Sequence, residues 1–389
     1  MNEDRSARYH RLGRRAALVS MAWSAGLLSA LAVPAVSLRV RDLAGAAAAP
    51  FPAVLRPTAA VLAFVALLGA LHQAGELPIE FFQSYLLERR YGLSTERLRH
   101  WAIVRLKSAA LGIAFTFAAA AGLYYAIRHW PTWWWAVVTA GYAAVAVVLT
   151  GLAPVVLLPI FFTVTPLDRP DLRDRLLALS RRAGLAASDA CRWRVGDRTR
   201  KANAALTGFG RTRRIMVSDT LLDLCSDDEI GGILAHELGH QARHDLWRGG
   251  ALHVLIAALG LAAASLALAR LSGPLGWDGV GDVAGLPVLM LSAGAVALAL
   301  RPLANAQSRG MERRADGFAI ELTGDPAAFA SAIERLGIRN LSEEHPPRLA
   351  RWFFATHPTV GERVAAARAA GERLPETRRA GPKARPPAS

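Results

Sequence analysis

The sequence predicts a mostly α-helical, polytopic membrane protein with about six transmembrane helices and a catalytic region that carries a small β element. Three observations support this fold class: long apolar stretches, basic segments beside them, and a His-Glu motif at 236–240. Of the 389 residues, 53% are hydrophobic and 20% are charged. The chain is therefore too apolar for an ordinary soluble enzyme and too charged to lie only within a membrane.

Six apolar stretches approach or exceed the length of about 20 residues that a helix needs to cross a bilayer. They are Ala16 to Val36, Ala59 to Leu77, Ser108 to Ile127, Trp133 to Phe162, Gly249 to Leu271 and Val283 to Leu300. We interpret the first stretch as a retained anchor, because its small-residue cleavage site is not convincing. The fourth is long enough to be tilted or kinked, and Pro154 and Pro159 provide a cause.

The positions of arginine and lysine predict the orientation of these spans. Basic residues precede the first span, separate the second from the third, and follow the fourth and the sixth, whereas the loop from Ser272 to Asp282 has neither Lys nor Arg. Cytoplasmic loops are enriched in positive charge. An even number of spans then places both termini and the His-Glu motif on the cytoplasmic side.

The net charge of +15 also bears on the partners of the protein. The arginines gather beside the membrane spans, and no recognition motif interleaves them with aromatic residues. Attraction to anionic membrane lipid therefore explains the excess charge better than nucleic-acid binding, which we do not expect. The two cysteines, Cys191 and Cys225, are expected to be free, partly buried thiols, because the cytoplasm disfavours disulfides.

The segment from His236 to His240 places two imidazoles one helical turn apart with Glu237 between them. Residues i and i+4 share one face of a helix, and the capping box of Ser226 and Glu229 starts that helix. We predict that His236 and His240 bind Zn2+ and that Glu237 is the general base that takes a proton from the activated water. The alternative is that the two histidines only cap or pack a helix.

A zinc site with two histidines usually takes its third ligand from a carboxylate on another helix. Glu312 is the candidate, and Asp316 lies one turn later on the same helical face. Asp316 is then expected to accept a hydrogen bond from a ligating histidine. The alternative is a solvated helix whose neighbouring arginines pair with these acids.

The order of these features divides the chain into five predicted regions. They are an N-terminal transmembrane region (1–162, four spans), a cytoplasmic catalytic region (163–248), the fifth and sixth spans (249–302), a cytoplasmic region with the third ligand (303–370) and a disordered basic tail (371–389). Hydrophobic periodicity predicts helices at Pro170 to Ala187, Pro326 to Arg339 and Thr359 to Ala370, and short strands at Cys191 to Val195 and Arg214 to Val217.

An ordered set of motifs resembles the type 1 CAAX prenyl proteases, which are integral-membrane gluzincin endopeptidases that trim proteins ending in a prenylated motif. The matching segments are Leu77 to Leu93, Pro166-Leu167, Lys201 to Gly208, Ile215 to Leu222, His236 to His244, Ser308 to Asp316, and His357-Pro358 with Arg363. The resemblance implies that the spans enclose a large intramembrane chamber and that His236, His240 and Glu312 bind zinc beside the base Glu237.

The resemblance also implies roles for residues that the local sequence leaves open. It implies that Asn203 and Ala204 belong to an edge strand that pairs with the substrate backbone, and that His357 and Arg363 lie at the cleft. A hydrogen-bonding or cationic group there suits an anionic intermediate or a peptide carboxylate. From the residues alone, the segment around Asn203 indicates a hairpin turn and His357 a loop histidine.

The preferred hypothesis is a zinc metalloendopeptidase that cuts membrane-associated peptides or proteins, including lipidated ones, in a bacterial cell membrane. The abundance of Ala and Arg is typical of a high-GC bacterial protein. A second hypothesis keeps this chemistry but assigns quality-control cleavage of membrane proteins, as in HtpX-type proteases. A third is a non-catalytic receptor or scaffold with a structural zinc site; Glu237 argues against it, because a structural site needs no base.

Overall fold

The computed structural model describes residues 2–152, 158–208 and 210–373. The helices are α1 (Asn2–Ala32), α2 (Pro34–Ala48), α3 (Arg56–Phe81), α4 (Glu88–Arg90), α5 (Leu98–His129), α6 (Trp134–Leu152), α7 (Leu158–Phe161), α8 (Pro170–Arg182), α9 (Asp219–Leu222), α10 (Asp227–Ala242), α11 (Asp245–Leu271), α12 (Leu286–Thr323), α13 (Pro326–Arg339), α14 (Arg348–Phe354) and α15 (Val360–Arg373). A π-helical turn, Phe82–Leu87, joins α3 to α4. The predicted tail beyond residue 373 lies outside the described residues.

The described residues include six helical segments that are long and apolar enough to cross a membrane, as predicted. They are Arg5–Ala32, Arg56–Arg90, Leu98–His129, Trp134–Gly151, Asp245–Leu271 and Val283–Thr323. The predicted end of the first span at Val36 is wrong, because Pro34 drives Val33 into an extended conformation with ψ 125 and α2 begins there. The predicted kink at Pro154 falls outside the described residues.

The four strands form one mixed sheet between the fourth and fifth spans. They are β1 (Thr163–Pro166), β2 (Asp189–Arg194), β3 (Ala204–Thr207) and β4 (Arg214–Ser218), in the order β1-β2-β4-β3. The parallel strands β2 and β4 confirm the two predicted strands, whereas β1, which pairs antiparallel with β2, was not predicted. The strand β3 pairs antiparallel with β4 at the edge of the sheet. The family resemblance implied this edge strand at Asn203 and Ala204, although hydrophobic periodicity did not indicate it. The hairpin turn suggested at Asn203 is wrong, because this residue leads directly into the edge strand β3.

The described residues form two separate hydrophobic cores. The first joins α8, the sheet, α10, α13 and α15 around fully buried side chains such as Leu176, Ile215 and Phe329. The second lies among the spans and includes Phe64 and Trp134. In the first core, each such side chain contributes about 1.5–3 kcal/mol on burial from water. The 38-residue helix α12 connects the two cores, because its first turn packs in the second core and its last turns pack in the first.

Both cysteines are free and buried, as the sequence predicted. Burial raises the pKa of the Cys225 thiol to about 11, with a smaller contribution from the nearby Glu229 carboxylate. Burial is also the main cause of the raised pKa of Cys191. These thiols therefore remain protonated at neutral pH, and both pack as small apolar groups.

Candidate active site

The helix α10 carries the His-Glu motif and begins with the predicted capping box. The Ser226 hydroxyl accepts a hydrogen bond from the Glu229 backbone N–H, and the Glu229 carboxylate accepts one from the Ser226 N–H. The same carboxylate also accepts a hydrogen bond from the Ser331 hydroxyl, at 2.6 Å, and forms an ion pair with Arg335, at 2.9 Å; both residues lie on α13. The capping residue therefore fixes the start of α10 and attaches it to the neighbouring helix.

A glycine lets α10 and α12 approach closely beside the motif. A Cβ atom placed on Gly239 would lie 3.1 Å from the Ala315 Cα atom and 3.2 Å from the Ala315 carbonyl oxygen. Both neighbours are backbone atoms, which cannot move without displacing α12. The small residues at 239 and 315 therefore allow the side chain of Glu312 to reach the two histidines across the helix interface.

Three side chains converge at this interface. The Nε2 atoms of His236 and His240 are 3.2 Å apart, and they lie 3.4 Å and 3.3 Å from the two carboxylate oxygens of Glu312. Ligands held about 2.0–2.1 Å from a tetrahedral ion are roughly 3.3 Å apart. The predicted third ligand is thus at the correct distance, and the three residues can hold one metal ion.

The hydrogen bonding of Glu312 supports the same conclusion. Its buried Oε2 atom has no hydrogen-bond partner of acceptable geometry among the described residues, although His357 Nδ1 lies 2.8 Å away. A buried carboxylate oxygen without a partner is costly. A cation between the Glu312 carboxylate and the two imidazoles would satisfy it, so the donor set fits a metal.

Each histidine also contacts a carboxylate through its other ring nitrogen. The Nδ1 atom of His236 is 2.8 Å from Asp316, as predicted, and the Nδ1 atom of His240 is 3.0 Å from Asp245. A proton on Nδ1 leaves the Nε2 lone pair free for the metal. Sequence reasoning missed Asp245. The left-handed His244, with φ 55, redirects the chain between α10 and α11 and brings this buried carboxylate back to the ring.

The guanidinium of Arg363 binds both oxygens of Asp316. Its Nε and Nη2 atoms donate to the carboxylate at 2.9 Å and 2.6 Å, which is a bidentate arrangement. Arg363 also stacks over the ring of Phe329, with 6.0 Å between its Cζ atom and the ring centroid. This residue therefore connects α15 with the acid that orients His236, and it also lines the cleft.

The electrostatic environment changes the proton affinity of the motif residues. Burial lowers the pKa of His236, but its hydrogen bonds to Asp316 and Glu312 outweigh burial and raise this pKa to about 9. Burial raises the pKa of Glu237 above its ordinary value, although the two imidazoles act in the opposite direction. A carboxylate with a raised pKa accepts a proton more readily, which suits a general base near neutral pH.

A cleft of about 580 Å³ opens at this cluster. Of the predicted site residues, those that line it are Asn203, Ala204, His236, Glu237, Glu312, His357 and Arg363. His240 and Asp316 contact the lining residues Glu312 and Arg363, respectively. The structure therefore brings all nine predicted residues together. Arg14 and Glu343 also line the cleft and were not predicted, because residues so distant in sequence give no local signal.

Comparisons with known proteins cover both the membrane and the catalytic regions. Residues 166–370 match peptidase family M48, and residues 2–163 match the CAAX prenyl protease N-terminal region of five membrane helices. The metalloprotease YhfN of Bacillus subtilis is 28% identical over 307 residues, which cover 77% of this chain and 71% of YhfN. A CAAX prenyl protease 1 homolog of Oryza sativa is 27% identical over 322 residues, covering 78% and 72% of the two chains.

A more distant relative and a solved structure agree with these matches. A protease HtpX homolog of Methylibium petroleiphilum is 31% identical over 185 residues, which cover 42% of this chain and 62% of that protein. The crystal structure of S. mikatae Ste24p matches with a TM-score of 0.80 and 23% identity over 94% of this chain and 88% of that chain, which confirms the predicted chamber fold. The chain belongs to peptidase family M48 and is an integral-membrane, metal-dependent endopeptidase of the CAAX prenyl protease type.

Proposed function

We propose that this protein is a zinc endopeptidase that cuts membrane-associated or lipidated peptides at the cytoplasmic surface of a bacterial membrane. The observation that carries the proposal is the triangle of two imidazole nitrogens and the Glu312 carboxylate, with Glu237 lining the cleft beside it. Imidazole and carboxylate ligands at tetrahedral spacing suit Zn2+. The basic segments that flank the spans support the cytoplasmic orientation.

The residues around the proposed metal site have different chemical roles. A bound zinc ion lowers the pKa of water toward neutrality. Glu237, which lines the cleft beside the triangle, accepts the proton of the attacking water and passes it to the leaving amine. Asp316 and Asp245 hold the two imidazoles in orientation. The His357 side chain, 61% exposed at the cleft, offers a hydrogen bond to the substrate oxygen as it becomes negative.

The edge strand β3 supports a binding mode for the substrate backbone. Ser218 N–H donates to the Asn203 carbonyl at 3.0 Å, so Asn203 and Ser218 form a hydrogen-bonded antiparallel pair. Ala204 is the next residue along and is opposite Val217, so its N–H and C=O groups point away from β4. Ala204 lines the cleft, where an extended peptide can pair with these groups as an additional strand.

The test of the chemistry is the substitution Glu237→Gln in the purified, membrane-embedded protein. We expect about one zinc ion per chain in both proteins and a loss of peptide cleavage of about 10²–10⁴-fold in the variant, because general-base catalysis contributes about this much. The control is Glu321→Gln, since Glu321 is an exposed acid on α12. Cleavage that persists in Glu237→Gln refutes the assigned base.

A second candidate, quality-control cleavage of membrane proteins, is supported by the similarity to the HtpX homolog. Peptides of one sequence with and without a farnesyl group separate the two candidates, with Glu237→Gln as the background control. Faster cleavage of the farnesylated peptide supports a lipidated substrate. Equal cleavage supports the quality-control hypothesis. Membership of a peptidase family argues against the receptor or scaffold hypothesis.

A further inference from the structure

A segment of the catalytic region crosses between two membrane helices and covers part of the cleft. We call residues 341–355 the strap. This segment contains α14 and lies between α1 and α12 in the folded protein. The strap residues that line the cleft are Ser342, Glu343, Pro346, Ala350, Arg351, Phe354 and Ala355. Its depth relative to the membrane therefore matters for the shape of the substrate site.

Contacts with α1 fix the depth of the first end of the strap. Arg14 forms a half-buried ion pair with Glu343, and His10 Nε2 lies 2.8 Å from the Leu341 carbonyl oxygen. The Ser6 hydroxyl donates to the same carbonyl at 2.9 Å. These three α1 residues are four apart and share one face. They end two residues before Ala16, where the apolar span begins.

Contacts with α12 fix the other end at a comparable depth. The Arg301 guanidinium lies over the Phe354 ring at 5.3 Å, Asn305 donates to the Trp352 carbonyl at 2.9 Å, and Arg309 donates to the Ala355 carbonyl at 2.7 Å. The three α12 residues are again spaced by four. Arg301 directly follows the apolar stretch that ends at Leu300, and eight residues of helix measure about 12 Å.

Both ends of the strap thus contact a spanning helix in the turns that flank its apolar segment, which precede that segment in α1 and follow it in α12. The headgroup layer occupies roughly 5–8 Å on each side of the hydrocarbon core. Phe354 contacts Arg301 and the Trp352 carbonyl contacts Asn305, and both of these α12 residues lie within about 8 Å of the end of the apolar stretch. The strap therefore lies at headgroup depth, along the membrane surface.

The outer face of α14 has the composition of a helix at this depth. The side chains of Leu349 and Trp352 are three residues apart, share one helical face, and are 71% and 57% exposed. Arg348 beside them is also exposed. Tryptophan, leucine and arginine on one face are typical of helices in the membrane interface.

We propose that the strap is an interfacial anchor that inserts Leu349 and Trp352 into the boundary between headgroups and acyl chains, with Arg348 near the lipid phosphates. The opposite side of the same short helix lines the cleft, and His357 follows α14 by three residues. The bilayer surface thus holds one wall of the substrate cleft in place.

The test measures the surroundings of the two side chains in lipid nanodiscs. Leu349 and Trp352 are replaced by cysteine one at a time, in a chain with Cys191 and Cys225 changed to alanine, and labelled with the fluorophore NBD. We expect phosphatidylcholine that carries a doxyl group at carbon 5 to quench the NBD fluorescence at both positions. Aqueous iodide is expected to quench this fluorescence only weakly. Asp174→Cys on α8, 78% exposed, is the control and is expected to show the reverse.

Iodide quenching at 349 and 352 equal to that at 174 overturns the proposal. Protection from both quenchers also overturns it, because a protein surface would then cover the strap. If the label at 352 prevents folding, position 349 alone gives the result. The measurement uses the Glu237→Gln form, so it is independent of peptide cleavage.

Discussion

The catalytic region and the membrane spans use their surfaces in opposite ways. In the catalytic region, α8, the sheet, α10 and α13 bury their apolar side chains against one another. The span Trp134–Gly151 buries only 6% of its residues within the protein, so most of its apolar surface is left for lipid. Hydrophobic burial within the chain therefore holds the catalytic region together, whereas the bilayer provides much of the apolar environment of the spans.

The helix α12 belongs to both regions. It is long because it extends from the membrane spans into the catalytic core. In the span Val283–Thr323, 39% of the most apolar window is buried, the largest share among the described spans. Its 38 helical residues measure about 57 Å, so one continuous helix begins among the spans and ends in the catalytic core. Glu312 lies on the part of this helix that packs against α10. The candidate metal site is therefore built on a helix that also belongs to the spans.

Removal of the proposed ligand on this shared helix, Glu312, gives the largest expected effect. Glu312→Ala is expected to lower metal affinity by more than the roughly 100-fold that is typical for loss of a residue supporting a ligand. Metal content after dialysis against a weak chelator measures the effect, and Glu321→Ala, on the exposed side of the same helix, should retain the metal. Full metal content in Glu312→Ala would show that another residue is the third ligand.

Two alanine substitutions, one in each region, test whether the stability of the two regions depends on protein packing to different degrees. Phe329→Ala in the catalytic core is expected to lower the free energy of unfolding by about 3–5 kcal/mol, because the side chain is fully buried. Val148→Ala on α6 should cost less than about 1 kcal/mol, since this side chain is already 54% exposed. Denaturant unfolding in one detergent compares them. Equal losses would contradict the contrast between the regions.

The smallest predicted effect concerns the support of the second histidine. Asp245→Asn is expected to lower metal affinity about 10–100-fold, because the neutral amide orients His240 less strongly than the carboxylate does. Competition with a fluorescent zinc chelator measures this affinity. Asp223→Asn changes an exposed acid and serves as the control. Unchanged affinity in Asp245→Asn would show that the contact with His240 is only structural.

The sequence predicted those elements whose signal is local. The helix Pro326–Arg339 was predicted at its observed bounds, and the capping box placed the start of α10 correctly. By contrast, β1 and β3 have four residues each and too few alternating positions for periodicity to reveal them; only the family resemblance indicated β3. The first span was predicted to continue through Pro34, although the rule for residues before proline already indicated a break at Val33.

The sequence alone determined the chemistry of the site and the number of apolar spans, because ligand type, helical spacing and hydrophobic length are properties of neighbouring residues. Only the tertiary structure decided that Asp245 supports His240, that Arg363 holds Asp316, and that the strap joins α1 to α12. These contacts depend on how helices pack across long separations in the chain. Packing geometry is set by close approaches such as Gly239 against Ala315, which no local pattern specifies.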